Sequence, residues 1–310
     1  RLARPPPTLP GGPPAACLAL PAVRSAPVWF DLDGTTDKSI ALIAEAAAPG
    51  ARVIACPETW LPGSPSFMWF GDEDYQAPFR QRYLENSLVA GSAQHRRIEA
   101  AAREGRITVV LGLSERVGEE LFMAQYVISD DGITTMKRRK LKPSAVEWDI
   151  FASGSGADLE VVDSSIGRIG ALNCSENRRP LLRHALLSQN EQLHVASWPH
   201  FGLYPGFVPM SAEASMAASS QYAAEGGVVT LAPTIVAGDA YLALLELPED
   251  ESDRIRSGGG STRIFGPFGE SIAEPLAPEV DGILYATVDE SLLRRDQEYD
   301  ADPTSIVKPW

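Results

Sequence analysis

"RIGALNCSENRRP", residues 168–180, begins as a strand and ends as the start of a helix. Ile169, Ala171 and Leu172 give the first half an apolar, extended character. Ser175, Glu176 and Asn177 are turn and cap formers, and a helical pattern follows over 179–190. One cysteine, Cys174, stands at the junction. A thiol between a strand end and a helix start feels the positive end of the helix, which favours thiolate. The backbone N–H of Ser175 then points where an oxyanion would form. An inert buried cysteine fits the same position, because free cysteines are usually buried.

Working outward, residues 159–162 and 168–174 flank Gly167 as a hairpin. Residues 194–197 read as a short strand, 211–224 as a small-residue helix and 228–231 as another strand. Upstream, Thr35-Thr36-Asp37 caps a helix that carries Ile40, Leu42 and Ile43 on one face and stops at Pro49-Gly50. Residues 52–56 form the next strand, 92–104 a helix and 107–113 a strand. Residues 122–129 pair with 134–139 across Asp130-Asp131-Gly132, a hairpin turn signal. The end is strand-rich, with 261–265, 271–274 and 283–288. Hairpins that alternate with strand–helix units predict an α/β protein with mixed sheets and outer helices. No linker or internal repeat interrupts it. A single domain over 17–310 is expected, after a flexible Pro-rich tail over 1–16.

The composition narrows the function. The chain has 310 residues, 44% hydrophobic, enough for a large core. A net charge of -14 disfavours general nucleic-acid binding, which needs a basic face. No run reaches the ~18 apolar residues of a membrane span. Cys17, Cys56 and Cys174 are odd in number and far apart, so they suggest neither a disulfide framework nor a metal site. A reducing, cytoplasmic setting is the expectation.

A cysteine nucleophile needs a proton acceptor. His184 shares the helix that follows Cys174, His194 sits in an apolar strand, and His200 follows Trp198-Pro199 where it can line a pocket. A carboxylate is the other option. "CPETWLPGSP", residues 56–65, puts Glu58 where a buried strand breaks open between turns. "KRRKLKPSAVEW", residues 137–148, places Lys140 and Lys142 on one face of an extended strand that Pro143 ends, with Glu147 a short loop away. Taken alone, Glu58 also fits a solvated loop and the lysines a solvated basic strand.

Taken together, the segments resemble the nitrilase family of the carbon–nitrogen hydrolase superfamily. "PETWLPGSP" is similar to its glutamate motif, "RRKLKPSAVEW" to its lysine motif and "GRIGALNCSENRRPLLRHAL" to its cysteine motif. "SWPHFGLYPG" and "GGGSTRIFGPFGESIAEPL" follow in the family's order, so the likeness spans roughly residues 22–293. It implies a four-layer α-β-β-α sandwich and a Glu58–Lys140–Cys174 triad with Glu147 as a fourth member. Lys140 is preferred over Lys142 because it directly precedes the Leu of "RKLKP". The resemblance implies nitrile hydrolysis to acid and ammonia through cysteine-bound intermediates, without metal or cofactor. It also implies self-association into a dimer or larger spiral. An amidase of the same superfamily and a catalytically silent binding homologue are the alternatives. Ser175, Ser64, Trp60, Trp198 and His200 are expected to contact substrate. Ser175 replaces a usual Trp, Ser64 a usual Tyr, and Ser144-Ala145 a usual Thr-His. These departures bear on substrate range more than on fold.

Overall fold

A computed structural model describes residues 17–277 and 280–293. The Pro-rich stretch 1–16 and the end of the chain beyond residue 293 lie outside the described residues. The strands are β1 (Cys17–Ser25), β2 (Val53–Ala55), β3 (Thr108–Val117), β4 (Glu120–Ile128), β5 (Thr134–Arg139), β6 (Val162–Ser164), β7 (Gly167–Asn173), β8 (Leu193–Ser197), β9 (Val229–Ala232), β10 (Thr234–Ile235), β11 (Arg263–Phe265) and β12 (Gly282–Asp289). The helices are α1 (Leu32–Ala47), α2 (Glu73–Glu85), α3 (Ala93–Gly105), α4 (Pro180–Leu187), α5 (Ala212–Gly226) and α6 (Asp239–Leu245).

One sheet runs β10-β1-β2-β3-β4-β5, with β12 also paired to β1; the other runs β11-β9-β8-β7-β6. The centres β1-β2-β3 and β7-β8-β9 are parallel, whereas the hairpins β3-β4-β5 and β6-β7 are antiparallel. The period-2 alternation of strand side chains sorts residues into layers. Leu18, Leu20 and Ala22 of β1 meet Val110 of β3 and, from the facing sheet, Ile169, Ala171, Val195 and Leu231. Val23, Ile54, Val109 and Leu111 point the other way, against Leu42 and Ile43 of α1 and Ile98 and Ala102 of α3. Leu172 of β7 turns outward to Leu186 of α4 and Tyr222 of α5. The result is the four-layer α-β-β-α sandwich.

Some boundaries differ from the sequence reading. Helix α1 starts a turn earlier, at the Asp31 cap, whose side chain accepts from the Gly34 N–H. The Thr35 and Thr36 hydroxyls bond to carbonyls of Val28 and Leu32 and do not cap. Residues 271–274 form one bridge, Phe265 with Ser271, in place of a strand. Helix α2 was not expected: Pro78 lies inside it and its surface is mostly polar, so the apolar period is weak. Its Asp72 cap, followed by Glu73 and Asp74, is the signal that marks it. Among the described residues, no helix is long and apolar enough to cross a membrane.

Candidate active site

The four expected reactive residues converge from three chain segments. Past β2, the Cys56 N–H donates to the Val110 carbonyl (2.8 Å) and the Glu58 N–H to the Trp198 carbonyl (3.2 Å). The segment therefore lies across the ends of strands from both sheets. Gly112 makes that crossing feasible, since a Cβ there would sit 1.8 Å from the Pro57 oxygen. The Glu58 side chain ends up buried.

Lys140 extends the β4-β5 ladder by one bond, from its N–H to the Met123 carbonyl (2.6 Å). Its side chain is buried, and Nζ donates to Glu58 Oε1 at 2.9 Å and Glu147 Oε2 at 2.8 Å. The same Glu147 oxygen accepts the Ser144 N–H (2.5 Å), which ties the loop after Lys140 to the ammonium. Lys142 does not share this face. The chain has left the sheet by then, and Lys142 is exposed.

Cys174 begins a tight turn, Cys174–Arg178, directly after β7, with φ at +45°. A left-handed conformation is strained for a residue with a Cβ and needs support from its surroundings. Glu176 supplies part of it. Its Oε2 accepts the Asn173 N–H (3.0 Å), while Oε1 accepts the Leu141 N–H (2.8 Å) and the Arg138 guanidinium (2.7 Å). Arg138 continues to Gln125, and Gln125 to Ser197, whose hydroxyl donates to the Cys56 carbonyl (2.9 Å). This buried network joins all three site segments. Sequence reasoning missed it, although Arg138 and Glu176 both lie within the quoted motifs.

The electrostatics follow from burial and charge. Burial raises Glu58 to about 7, against the pull of Lys140. Burial alone would lower Lys140, yet Glu147 and Glu58 hold its ammonium well above the ordinary value. The Cys174 thiol is pushed up, first by burial and then by the Glu58 charge. That corrects the expectation of a resting thiolate. Only the tight turn starts at the cysteine, and α4 begins later, at Pro180, so the positive end of a full helix is not at the thiol. The resting thiol keeps its proton and needs a base to remove it.

Glu58, Glu147, Cys174 and Ser175 line one cavity of about 320 Å³. Met68, Trp69, Phe201, Leu203, Phe207 and Met210 give it apolar walls. Ser64, Trp198 and His200, read from the sequence as substrate contacts, also line it. Trp60 does not: it is buried in the core under α1, and its indole N–H donates to Ser39 Oγ at 2.8 Å. The Ser175 and Ser144 hydroxyls are 2.6 Å apart on the cavity wall. His200 Nδ1 accepts the Gly202 N–H (3.2 Å), so Nε2 carries the proton toward Ser66 Oγ (2.7 Å). Burial lowers His200 to about 4, which leaves it a neutral wall group. His184 and His194 do not line the cavity. Among the described residues, no group of three or more His, Cys, Asp or Glu is placed to hold a metal ion.

The four-layer sandwich thus brings a thiol and a buried carboxylate–ammonium pair together beside one cavity. Residues 15–297 match the carbon–nitrogen hydrolase family, and the chain belongs to that family. It is 44% identical to a nitrilase of Pseudomonas syringae pv. syringae, over 89% of this chain and 82% of the relative. It is 40% identical to a bromoxynil-specific nitrilase of Klebsiella pneumoniae subsp. ozaenae, over 91% and 80%. Among solved structures, a carbon–nitrogen hydrolase of Helicobacter pylori shares the fold at a TM-score of 0.70 and 17% identity, covering 94% of this chain and 99% of that one. A Nesterenkonia amidase shares it at 0.65 and 15% identity, over 93% and 97%.

Proposed function

We propose that this chain hydrolyses organic nitriles to carboxylic acids and ammonia, with Cys174 as nucleophile, Glu58 as general base and acid, and Lys140 and Glu147 beside them. The observation that carries the reading is the place of Glu58: a buried carboxylate 2.9 Å from a buried ammonium, lining the same cavity as the Cys174 thiol. Burial raises Glu58 to about 7 and pushes the thiol up, so the thiol keeps its proton until a base removes it. The nitrilases among its relatives support the substrate class.

Glu58 takes the Sγ proton as sulfur attacks the nitrile carbon, and returns it to nitrogen, giving a thioimidate. A first water adds to the same carbon, with Glu58 moving its proton to nitrogen. Collapse expels ammonia and leaves a thioester. A second water releases the acid and restores the thiol. Two waters and one nitrile become one acid and one ammonia. Lys140 and the Ser175 N–H, at the unpaired start of the turn, stabilise the negative charge as it develops. Pairing with Lys140 also fixes the Glu58 carboxylate. Burial, which raises Glu58 to about 7, suits it to both proton steps.

The apolar cavity walls favour nitriles with a hydrocarbon body. The second reading, carboxamide hydrolysis, shares the thioester; the small Ser175 beside the thiol leaves room for an amide oxygen. We also infer self-association, because Leu181 and Phe268 stand largely exposed on the surface. A panel of aliphatic, aromatic and arylaliphatic nitriles and carboxamides, scored for ammonia and product mass, tests the reading. Turnover of nitriles supports it. Rapid amide hydrolysis with no product from any nitrile replaces it with the amidase reading.

A further inference from the structure

Behind Cys174, away from the cavity, runs a second buried chain of polar groups. Asn177 Nδ2 donates to the Cys174 carbonyl (3.1 Å) and the Leu172 carbonyl (3.2 Å). Both partners are acceptors, so the amide orientation is fixed and Oδ1 faces His194 Nε2 at 2.8 Å. Nε2 must therefore carry a proton. On the far side of the ring, Nδ1 lies 2.7 Å from Glu191 Oε1. A bare imidazole nitrogen and a bare carboxylate oxygen would repel at that distance, so one proton sits between them. The other Glu191 oxygen accepts from the Tyr222 hydroxyl on α5. His194 stacks on the Tyr222 ring, with centroids 3.6 Å apart. Asn177, His194, Glu191 and Tyr222 are all buried.

Two features make this more than core polarity. The chain terminates on the backbone of the residue with φ at +45°. In addition, β7 carries a glycine where the chain passes: a Cβ on Gly170 would lie 2.1 Å from Glu191 Oε1. Strand interiors disfavour glycine, and one found there often marks a close approach.

We propose that Glu191, His194 and Asn177 form a positioning chain that holds the Cys174 backbone in its left-handed conformation, and so presents the thiol to the cavity. Glu191 orients the imidazole, the imidazole orients the Asn177 amide, and the amide clamps the carbonyls on both sides of Asn173. None of the three touches substrate. The proposal rests on the reading of Cys174 as nucleophile.

The variants Glu191→Ala and Gly170→Ala break the link from Glu191 to His194, and His194→Phe removes the imidazole from the middle of the chain. Glu191→Gln keeps it, because its amide N–H reaches Nδ1 and its carbonyl accepts from Tyr222. Each variant is checked for folding by circular dichroism. We then measure kcat and KM on a nitrile the wild type turns over, and the rate of Cys174 alkylation by iodoacetamide, located by peptide mass. Breaking the chain lowers kcat by about 10- to 100-fold, the scale of a slightly misplaced reacting group, with KM within about three-fold. Alkylation of Cys174 changes in the same variants, and Glu191→Gln stays within about three-fold of wild type. The proposal is overturned if folded Glu191→Ala and His194→Phe keep wild-type kcat and alkylation rates. It is equally overturned if Glu191→Gln falls as far as Glu191→Ala, since charge rather than orientation would then be what matters. If Cys174→Ala retains turnover, the nucleophile assignment fails instead, and the alkylation rates still decide whether the chain sets the thiol's exposure.

Discussion

Two buried ion pairs, whose cations stand two residues apart along the chain, behave in opposite ways. Arg138 holds Glu176, and Lys140 holds Glu58; all four side chains are out of solvent. Glu176 is lowered below the ordinary carboxylate value, whereas Glu58 is raised to about 7. Both pay desolvation, so the difference lies in the donors. Glu176 accepts from a guanidinium and two backbone N–H groups, fixed in place by the turn and the strand. Glu58 accepts from one ammonium, which it shares with Glu147, and feels the Glu147 charge as a repulsion. A carboxylate with three fixed donors is structural; one with a shared donor and a like-charged neighbour is poised to exchange a proton.

The largest expected effect lies on the reactive side. Cys174→Ala should lower turnover by ~10⁴-fold or more, as removal of a nucleophile does, while the fold persists. Cys56→Ala should keep its activity. Burial raises the Cys56 thiol to about 12, and it sits in the core rather than on the cavity. An essential Cys56 beside a dispensable Cys174 would reverse the assignment.

Next come the two carboxylates. Glu58→Gln should cost about 10²- to 10⁴-fold in kcat/KM with little loss of stability. Glu176→Gln should do the reverse to the fold. Its new NH₂ must face at least one of three donors, and breaking a buried ion pair costs about 3–5 kcal/mol. Urea unfolding of both variants, alongside kinetics, checks the contrast. Equal destabilisation by the two would erase the distinction between them.

The pH dependence sharpens it. As a base, Glu58 must be ionised, so wild-type kcat/KM should rise as pH increases through about 7. The fold retains this proton where the unfolded chain, near 4.5, releases it. Ionising Glu58 therefore reduces stability as pH climbs from about 4.5 to about 7. Glu176 has the opposite sign: its contribution is complete above the unfolded carboxylate value, 4.5, and is lost as pH falls through its lowered folded value. Stability curves of Glu58→Gln and wild type across pH 4–8 should diverge most at the upper end. A flat kcat/KM profile through pH 7 would remove Glu58 as the titrating base.

The sequence carried the mixed-sheet α/β class because its signals are local: the apolar face of Ile40, Leu42 and Ile43, the Asp130-Asp131-Gly132 turn, the strand–turn–helix around Cys174. The four-layer sandwich came from motif resemblance, and the first strand, β1, went unread. The sequence also carried Glu58, Lys140, Cys174 and Glu147 as candidates, through motif resemblance. What it did not show depends on contacts far apart in the chain. Trp60 lies next to a site residue in sequence, yet its indole turns to Ser39 on α1. The Arg138–Gln125–Ser197 network crosses between sheets, and no spacing rule anticipates it. The rise in the Cys174 thiol comes first from burial that only the folded cavity supplies, and then from Glu58, 116 residues away in sequence.

The smallest predicted effect tests where the strand ends. In an extended chain, Lys140 and Lys142 are two apart and project to one face. Pairing, however, stops at Lys140: its N–H bonds to the Met123 carbonyl, and its own carbonyl accepts the Gly154 N–H, 2.8 Å away on a different segment. Pro143 follows, and the chain turns toward the Ser144–Glu147 capping contact. Lys140 is therefore carried inward between two carboxylates while Lys142 is left in water. Lys140→Ala should strand Glu58 and Glu147 in burial with no cation between them, with a severe loss of activity. Lys142→Ala touches no buried group, so kcat should stay within about two-fold and stability within about 0.5 kcal/mol, the usual range for surface changes. Side-by-side kinetics and urea midpoints of the two alanine variants read the difference. A Lys142→Ala loss comparable to that of Lys140→Ala would mean that the strand continues past Lys140 in solution and that both ammonium groups serve the cavity.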